Sequence, residues 1–267
     1  MFRNITPVVQ NLLIINIGLL IVSQFIFPQL NQWFALYYIH SPYFKPFQFL
    51  TYMFMHADFW HLFGNMFGLL IFGPLLEQFL GPKKLLILWM VCGIGSGVLY
   101  SGYVAYEINS LNKEVIAFQE KPSPDSFNRL ILKNPGNLPY SYSEAIELVD
   151  KYSRDETNQT YIDHANKSLE FILAKKTYTT RMVGASGALF GVLIAFAMLF
   201  PNTQLFLLFP PIPIKAKYMV LFYSLYTIYN VFVNNPLDNV AHFAHLSGLV
   251  IGGVLVYFWK KDRKSFY

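Results

Sequence analysis

The sequence predicts an all-α membrane protein: six transmembrane helices in one bundle, with a polar, extracytoplasmic insertion between the third and the fourth. Three observations lead there. The 267 residues are 54% hydrophobic and 18% aromatic, with a mean hydropathy of +0.37. Only 13% are charged, about half the roughly 25% usual in soluble domains. Apolar stretches also recur at the roughly 17 to 25 residues a helix needs to cross about 30 Å of hydrocarbon.

These stretches read as helices at 8–28, 59–80, 83–105, 185–201, 216–234 and 240–259, by length and by unbroken apolarity. The first follows Arg3, and no small-residue cleavage signal comes after it, so it is expected to be a retained span and not a removed signal peptide. An even number of spans puts both ends of the bundle on one side. Arg3, Lys83, Lys84, Lys215, Lys217, Lys260, Lys261, Arg263 and Lys264 all fall there, while the short connections opposite carry little more than Lys45 and Arg181. The positive-inside rule then predicts a multi-pass protein of the cell membrane with both termini cytoplasmic.

Residues 1–267 read as a single membrane domain interrupted at 106–180. That insertion holds 11 acidic and 9 basic residues, most of the charge in the chain, and leaves the remainder at +7. The basic excess therefore belongs to the membrane part and fits anchoring beside anionic lipid. No basic run with interleaved aromatics occurs, so nucleic acid is not an expected partner. Pro122, Pro124, Pro135, Gly136 and Pro139 mark a loop, and 142–176 alternates in the manner of one or two amphipathic helices. The single cysteine, Cys92, lies in an apolar run and can form no intramolecular disulfide; it reads as core filler.

A polar group inside a span is costly and calls for a partner or a function. Three clusters stand out. His56, Asp58, His61 and Asn65 head the second helix, with His61 and Asn65 four apart and so on one face. Gly184, Ala185, Ser186 and Gly187 begin the fourth helix, and small residues continue at Gly191 and Ala195. His242 and His245 begin the sixth, where Ala244, Gly248 and Gly252 form a second small stripe. Helices bearing such stripes approach closely, which would bring Ser186 near His245.

An intramembrane serine usually bonds back to a carbonyl one turn earlier, and Ser96, Ser224 and Ser247 take that reading. Ser96 lies between Gly95 and Gly97 but in mid-helix. Ser186 instead stands at a helix start, where unpaired amides and the positive dipole end suit a developing oxyanion. Histidine supplies the near-neutral pKa of a general base, and His245 and His242 are both placed for it. Neither metal nor cofactor is expected: His56 and His61 diverge on a helix, no His-Glu-x-x-His occurs, and carboxylates are scarce beyond Asp58 and Asp238.

Together the three clusters resemble the rhomboid family of intramembrane serine proteases, whose pattern is His-x4-His-x3-Asn, Gly-x-Ser-Gly and Ala-His-x-x-Gly-x-x-x-Gly in that order. Here the pattern reads His56, His61, Asn65; Gly184, Ser186, Gly187; and Ala244, His245, Gly248, Gly252, with Glu77 and Gly81 closing the second span in the family's manner. The resemblance covers roughly 8–105 and 183–259. It implies a rhomboid-like bundle and a catalytic dyad of Ser186 and His245, since only His245 carries the matching glycines. It further implies an oxyanion hole from the Ser186 amide with His61 and Asn65, Phe190 stacked on the histidine, and His56 in support. The implied partners are transmembrane protein substrates and the lipid bilayer. The insertion departs from the pattern, and the 29–50 loop lacks the Trp-Arg pair of some members. The competing reading is a non-catalytic rhomboid-like protein that binds or chaperones membrane helices. A transporter would show inverted repeats, and none is evident.

Overall fold

Pro7 opens the first helix, at a position where its missing N–H costs nothing, and a carboxylate from elsewhere in the chain completes that helix end. The structure, a computed structural model, describes residues 5–206, 212–233 and 240–262. Arg3, Asp238, Arg263, Lys264 and the expected end of the fifth span at 234 lie outside the described residues. Helix α1 (Pro7–Ile21) runs into a π-helical turn, Val22–Ile26. Its start is tied to Glu77, whose carboxylate accepts from the Thr6 hydroxyl and from the N–H groups of Val8 at 3.0 Å and Val9 at 3.1 Å. A negative charge there complements the helix dipole.

The segment that follows comprises α2 (Leu30–Phe34), β1 (Leu36–Tyr37), α3 (Gln48–Thr51) and a single 3-10 turn, Tyr52–Phe54. Gln48, 1% exposed, organises it. Its Oε1 accepts from the N–H groups of Tyr37 and Lys45, and its Nε2 donates to the carbonyls of Trp33 and Tyr43. One buried amide thus satisfies four backbone groups that the loop would otherwise leave unpaired.

Asp58 caps α4 (Phe59–Leu80) by accepting from His61 N–H at 2.8 Å. Gly81, at a φ of 85°, ends it in the left-handed region that glycine adopts without strain. Pro82 then begins α5 (Pro82–Glu120), whose 39 residues make a helix of about 58 Å. The expected third span stopped at 105; the helix does not. Hydropathy falls there, but Val104, Ile108, Leu111, Val115 and Phe118 keep one buried face at helical spacing.

The second half of α5 joins α6 (Pro124–Lys133), α7 (Tyr142–Arg154) and α8 (Gln159–Thr179) in a helical layer with its own core, including Phe118, Phe127, Ile131, Tyr152, Leu169 and Ile172. Pro124 is therefore not a loop marker: it stands at the first helical position behind the Ser123 cap, where proline is favoured. Residues 142–176 supply two helices. The first opens with a capping box between Ser141 and Glu144, whose hydrogen bonds hold the Glu144 carboxyl below its ordinary range. After α8, β2 (Arg181–Met182) pairs antiparallel with β1, Leu36 opposite Met182 and Tyr37 opposite Arg181.

The remaining elements are α9 (Ser186–Leu199), a hairpin of β3 (Gln204–Phe206) and β4 (Pro213–Lys215), α10 (Ala216–Val233) and α11 (His242–Asp262). Helix α9 is central, packed against α4, α5, α10 and α11. Among the described residues four helical segments are long and apolar enough to cross a bilayer: Pro7–Ile26, Phe59–Leu80, Pro82–Glu120 and His242–Lys261. The other two expected spans are helical but weaker. The 14 residues of α9 reach only about 21 Å, and four tyrosines, at 218, 223, 226 and 229, dilute the apolarity of α10. Phe25, Phe222 and Phe232 stand 83%, 73% and 84% exposed, as lipid-facing rings do and water-facing ones rarely do. The chain is an all-α membrane protein.

Candidate active site

Glycine decides how close the two central helices come. A Cβ on Gly248 of α11 would lie 2.0 Å from the Gly187 carbonyl oxygen of α9, and one on Gly252 would lie 2.7 Å from Gly191 Cα. Toward α5, a Cβ on Gly187 would meet Ser96 Cβ at 2.6 Å. Backbone therefore touches backbone along the α9–α11 seam. At the head of that seam His245 Nε2 and Ser186 Oγ are 2.7 Å apart, a normal hydrogen-bond length. Phe190, one turn beyond Ser186, stacks on the His245 ring with centroids 4.3 Å apart and planes at 8°. The His242 ring stands edge-on to His245 at 6.0 Å and to Tyr226 at 5.9 Å. The serine's partner is thus His245, and His242 sits behind it.

Gly184, two residues before Ser186, has a φ of 118°, which a residue with a Cβ rarely adopts. Its N–H donates to the Tyr52 carbonyl at 3.0 Å. A Cβ at Gly184 would lie 2.6 Å from His61 Nε2 and 3.7 Å from Asn65 Nδ2, so both α4 side chains border the turn that leads into Ser186. Ala57 N–H reaches His61 Nδ1 at a long 3.5 Å, which favours the tautomer with its proton on Nε2, facing Gly184. Asn65 is 4% exposed, and its Nδ2 has no acceptor among the described residues. His56 does not diverge from His61 as expected of a shared helix: it lies before the Asp58 cap of α4 and packs edge-on to His61, centroids 5.1 Å apart. Burial, and then the neighbouring His61, pushes His56 down to about 3, so it stays neutral.

The residues singled out in the sequence thus fall into one constellation. Ser186, Gly187, Phe190, His245, Gly248 and Gly252 share the seam, Gly184, His61 and Asn65 border it, and His56 lies behind His61. Ser224 and Ser247 bond to the carbonyls of Val220 and Phe243 one turn back, at 2.7 and 2.8 Å; Ser96 departs from that expectation, since its buried Oγ has no hydrogen-bond partner among the described residues and packs beneath Gly187. Tyr52 was not singled out. It fixes Gly184 through its carbonyl, and its hydroxyl donates to the Gly93 carbonyl at 2.6 Å. A tyrosine in a loop rich in phenylalanine and tyrosine carries no spacing that announces this.

A hydroxyl bonded to an imidazole at a helix start, beside buried donors, is an arrangement suited to attack on a carbonyl and to holding the resulting oxyanion. The Rhomboid domain family model matches residues 43–109 and 164–261, flanking most of the insertion. The RHOMBOID-like protein 12, mitochondrial, of Arabidopsis thaliana is 24% identical over 216 residues, 81% of this chain and 46% of that protein. The chain therefore spans about half the length of that curated relative. With more than half of its residues matched by the family model, and with that constellation in place, the chain belongs to the rhomboid family.

Proposed function

We propose that the chain is an intramembrane serine endopeptidase that cleaves transmembrane segments of other membrane proteins through a Ser186–His245 dyad. The observation that carries this reading is the 2.7 Å contact between His245 Nε2 and Ser186 Oγ at the first residue of α9. In the first step Ser186 Oγ attacks the scissile carbonyl carbon while His245 Nε2 takes its proton. The proton then passes to the leaving amine as the peptide bond breaks. Water attacks the acyl ester with His245 again as base, and the acid leaves as Ser186 is reprotonated. Phe190 holds the imidazole plane throughout.

The oxyanion is held by the Ser186 N–H, His61 Nε2 and Asn65 Nδ2, each contributing about 10²- to 10³-fold in rate by comparison with other oxyanion donors. Substrate segments that unwind near the cut are favoured, because an intact helix keeps its carbonyls bonded. Six spans follow from counting α1, α4, the first half of α5, α9, α10 and α11, in a single rhomboid-like domain whose 106–180 insertion lies on the non-cytoplasmic side. The Thr6–Glu77 tie and Lys84 Nζ, 5.4 Å from the Trp259 ring centroid, gather the starts of α1 and α5 with the end of α11. That end carries Lys83, Lys84, Lys260 and Lys261, which supports a cytoplasmic location for both termini in the cell membrane.

Cleavage of a transmembrane reporter by the protein reconstituted in vesicles tests the reading. Ser186→Ala and His245→Ala should each reduce product to background with an unchanged melting temperature. Undiminished cleavage by Ser186→Ala would overturn it. Reporter binding without product from the unmodified chain would favour the non-catalytic rhomboid-like alternative.

A further inference from the structure

Two cations of the short connections, Lys45 and Arg181, take no part in the chemistry proposed at Ser186, and the fold brings them to one place. The β1–β2 pairing sets Arg181 opposite Tyr37. Gln48 draws the turn at Lys45 onto the same strand by accepting N–H bonds from both Tyr37 and Lys45. With Trp33, Tyr43 and Phe47 they line a cavity of about 760 Å³ that has no acidic residue in its wall. Neither charge is neutralised among the described residues. The Lys45 ammonium has no ion pair, and Arg181 gives one N–H to Tyr37 Oη at 3.1 Å and lies 5.9 Å from that ring's centroid.

The rim is apolar and open. Trp33, Tyr43 and Phe47 are 57%, 60% and 50% exposed, an aromatic and cationic grouping typical of the membrane–water interface. The frame is rigid as well, since Ser41 Oγ donates to the Tyr178 carbonyl at 2.9 Å and locks the 29–50 loop to the end of α8. We propose that this cavity seats the phosphodiester headgroup of an anionic phospholipid. The Arg181 fork and Lys45 meet the phosphate, and the three rings meet the glycerol and upper acyl chains. A soluble anion would make no use of those exposed rings; an amphipathic one uses both halves of the site. The inference concerns lipid recognition and stands apart from the chemistry at Ser186.

Native mass spectrometry of the full chain in micelles doped with phosphatidylglycerol or phosphatidylcholine of identical acyl chains tests the proposal. Phosphatidylglycerol should be retained in preference. Lys45→Gln and Arg181→Gln should each weaken it roughly fivefold and together about thirtyfold, at the strength usual for a basic residue near anionic lipid. Lys167→Gln, on the exposed face of α8, should leave it unchanged. Lys45→Gln keeps the test decisive should Arg181→Gln loosen the β1–β2 pair, because its ammonium makes no hydrogen bond or ion pair among the described residues. Equal retention of the two lipids, or a preference that survives both substitutions, would overturn the proposal. So would full displacement by inorganic phosphate, which marks a free-anion site, or by an acidic peptide, which marks a protein partner.

Discussion

Asn65 carries a buried amide donor without an acceptor among the described residues, a feature that costs about 1 to 3 kcal/mol. In the proposed mechanism its partner is the oxyanion, present only during turnover, so Asn65→Ala should lower kcat by about 10²- to 10³-fold. KM should change little and the melting temperature should hold or rise, as steady-state kinetics and thermal unfolding would show. A fall in stability with intact kcat would instead assign Asn65 to the scaffold. At this scale much was legible beforehand: the four-residue spacing of His61 and Asn65 and the glycines around Ser186 and His245 are properties of the string. The Tyr52–Gly184 bond was not, because a single backbone contact between distant residues leaves no periodic trace.

Between elements, the α9–α11 seam is the constraint on which the site depends. A methyl at Gly248 would sit 2.0 Å from the Gly187 carbonyl oxygen, and backbone cannot step aside as a flexible side chain can. Gly248→Ala should therefore destabilise the protein by about 3 kcal/mol, the upper part of the range for overpacking. It should also reduce cleavage by separating His245 from Ser186. Gly102→Ala, on α5 with nothing within 4 Å of its Cβ, should be neutral or stabilise by up to about 1 kcal/mol. Thermal unfolding of the two variants side by side separates the two cases. The small stripes on both helices were visible in the sequence because they repeat every four residues. The β1–β2 pair was not, since two-residue strands are too short for a period of two to register.

For the whole molecule, the apolar bundle and the insertion form two cores, one around α9 and one around Phe127. The insertion was legible as polar sequence with amphipathic helices over 142–176, which form as α7 and α8, but the continuation of α5 and the helix at Pro124 were not. Its charged residues mask a buried face that passes without a break from the first half of α5 into its second, and Pro124 signals a helix start as readily as a turn. Phe127→Ala, which empties a fully buried site, should cost the insertion about 3 to 5 kcal/mol. Hydrogen exchange should then speed up in α6, α7 and α8 while α9 and α11 remain protected; loss of protection throughout would show that the two cores unfold together. A serine activated by His245 inside a membrane bundle should react with a fluorophosphonate, so the reconstituted protein is labelled with one and the adduct located by mass spectrometry. A single adduct on Ser186 is expected, disappearing in Ser186→Ala and falling to background in His245→Ala. Labelling that persists in Ser186→Ala, or that appears on another serine, would contradict it.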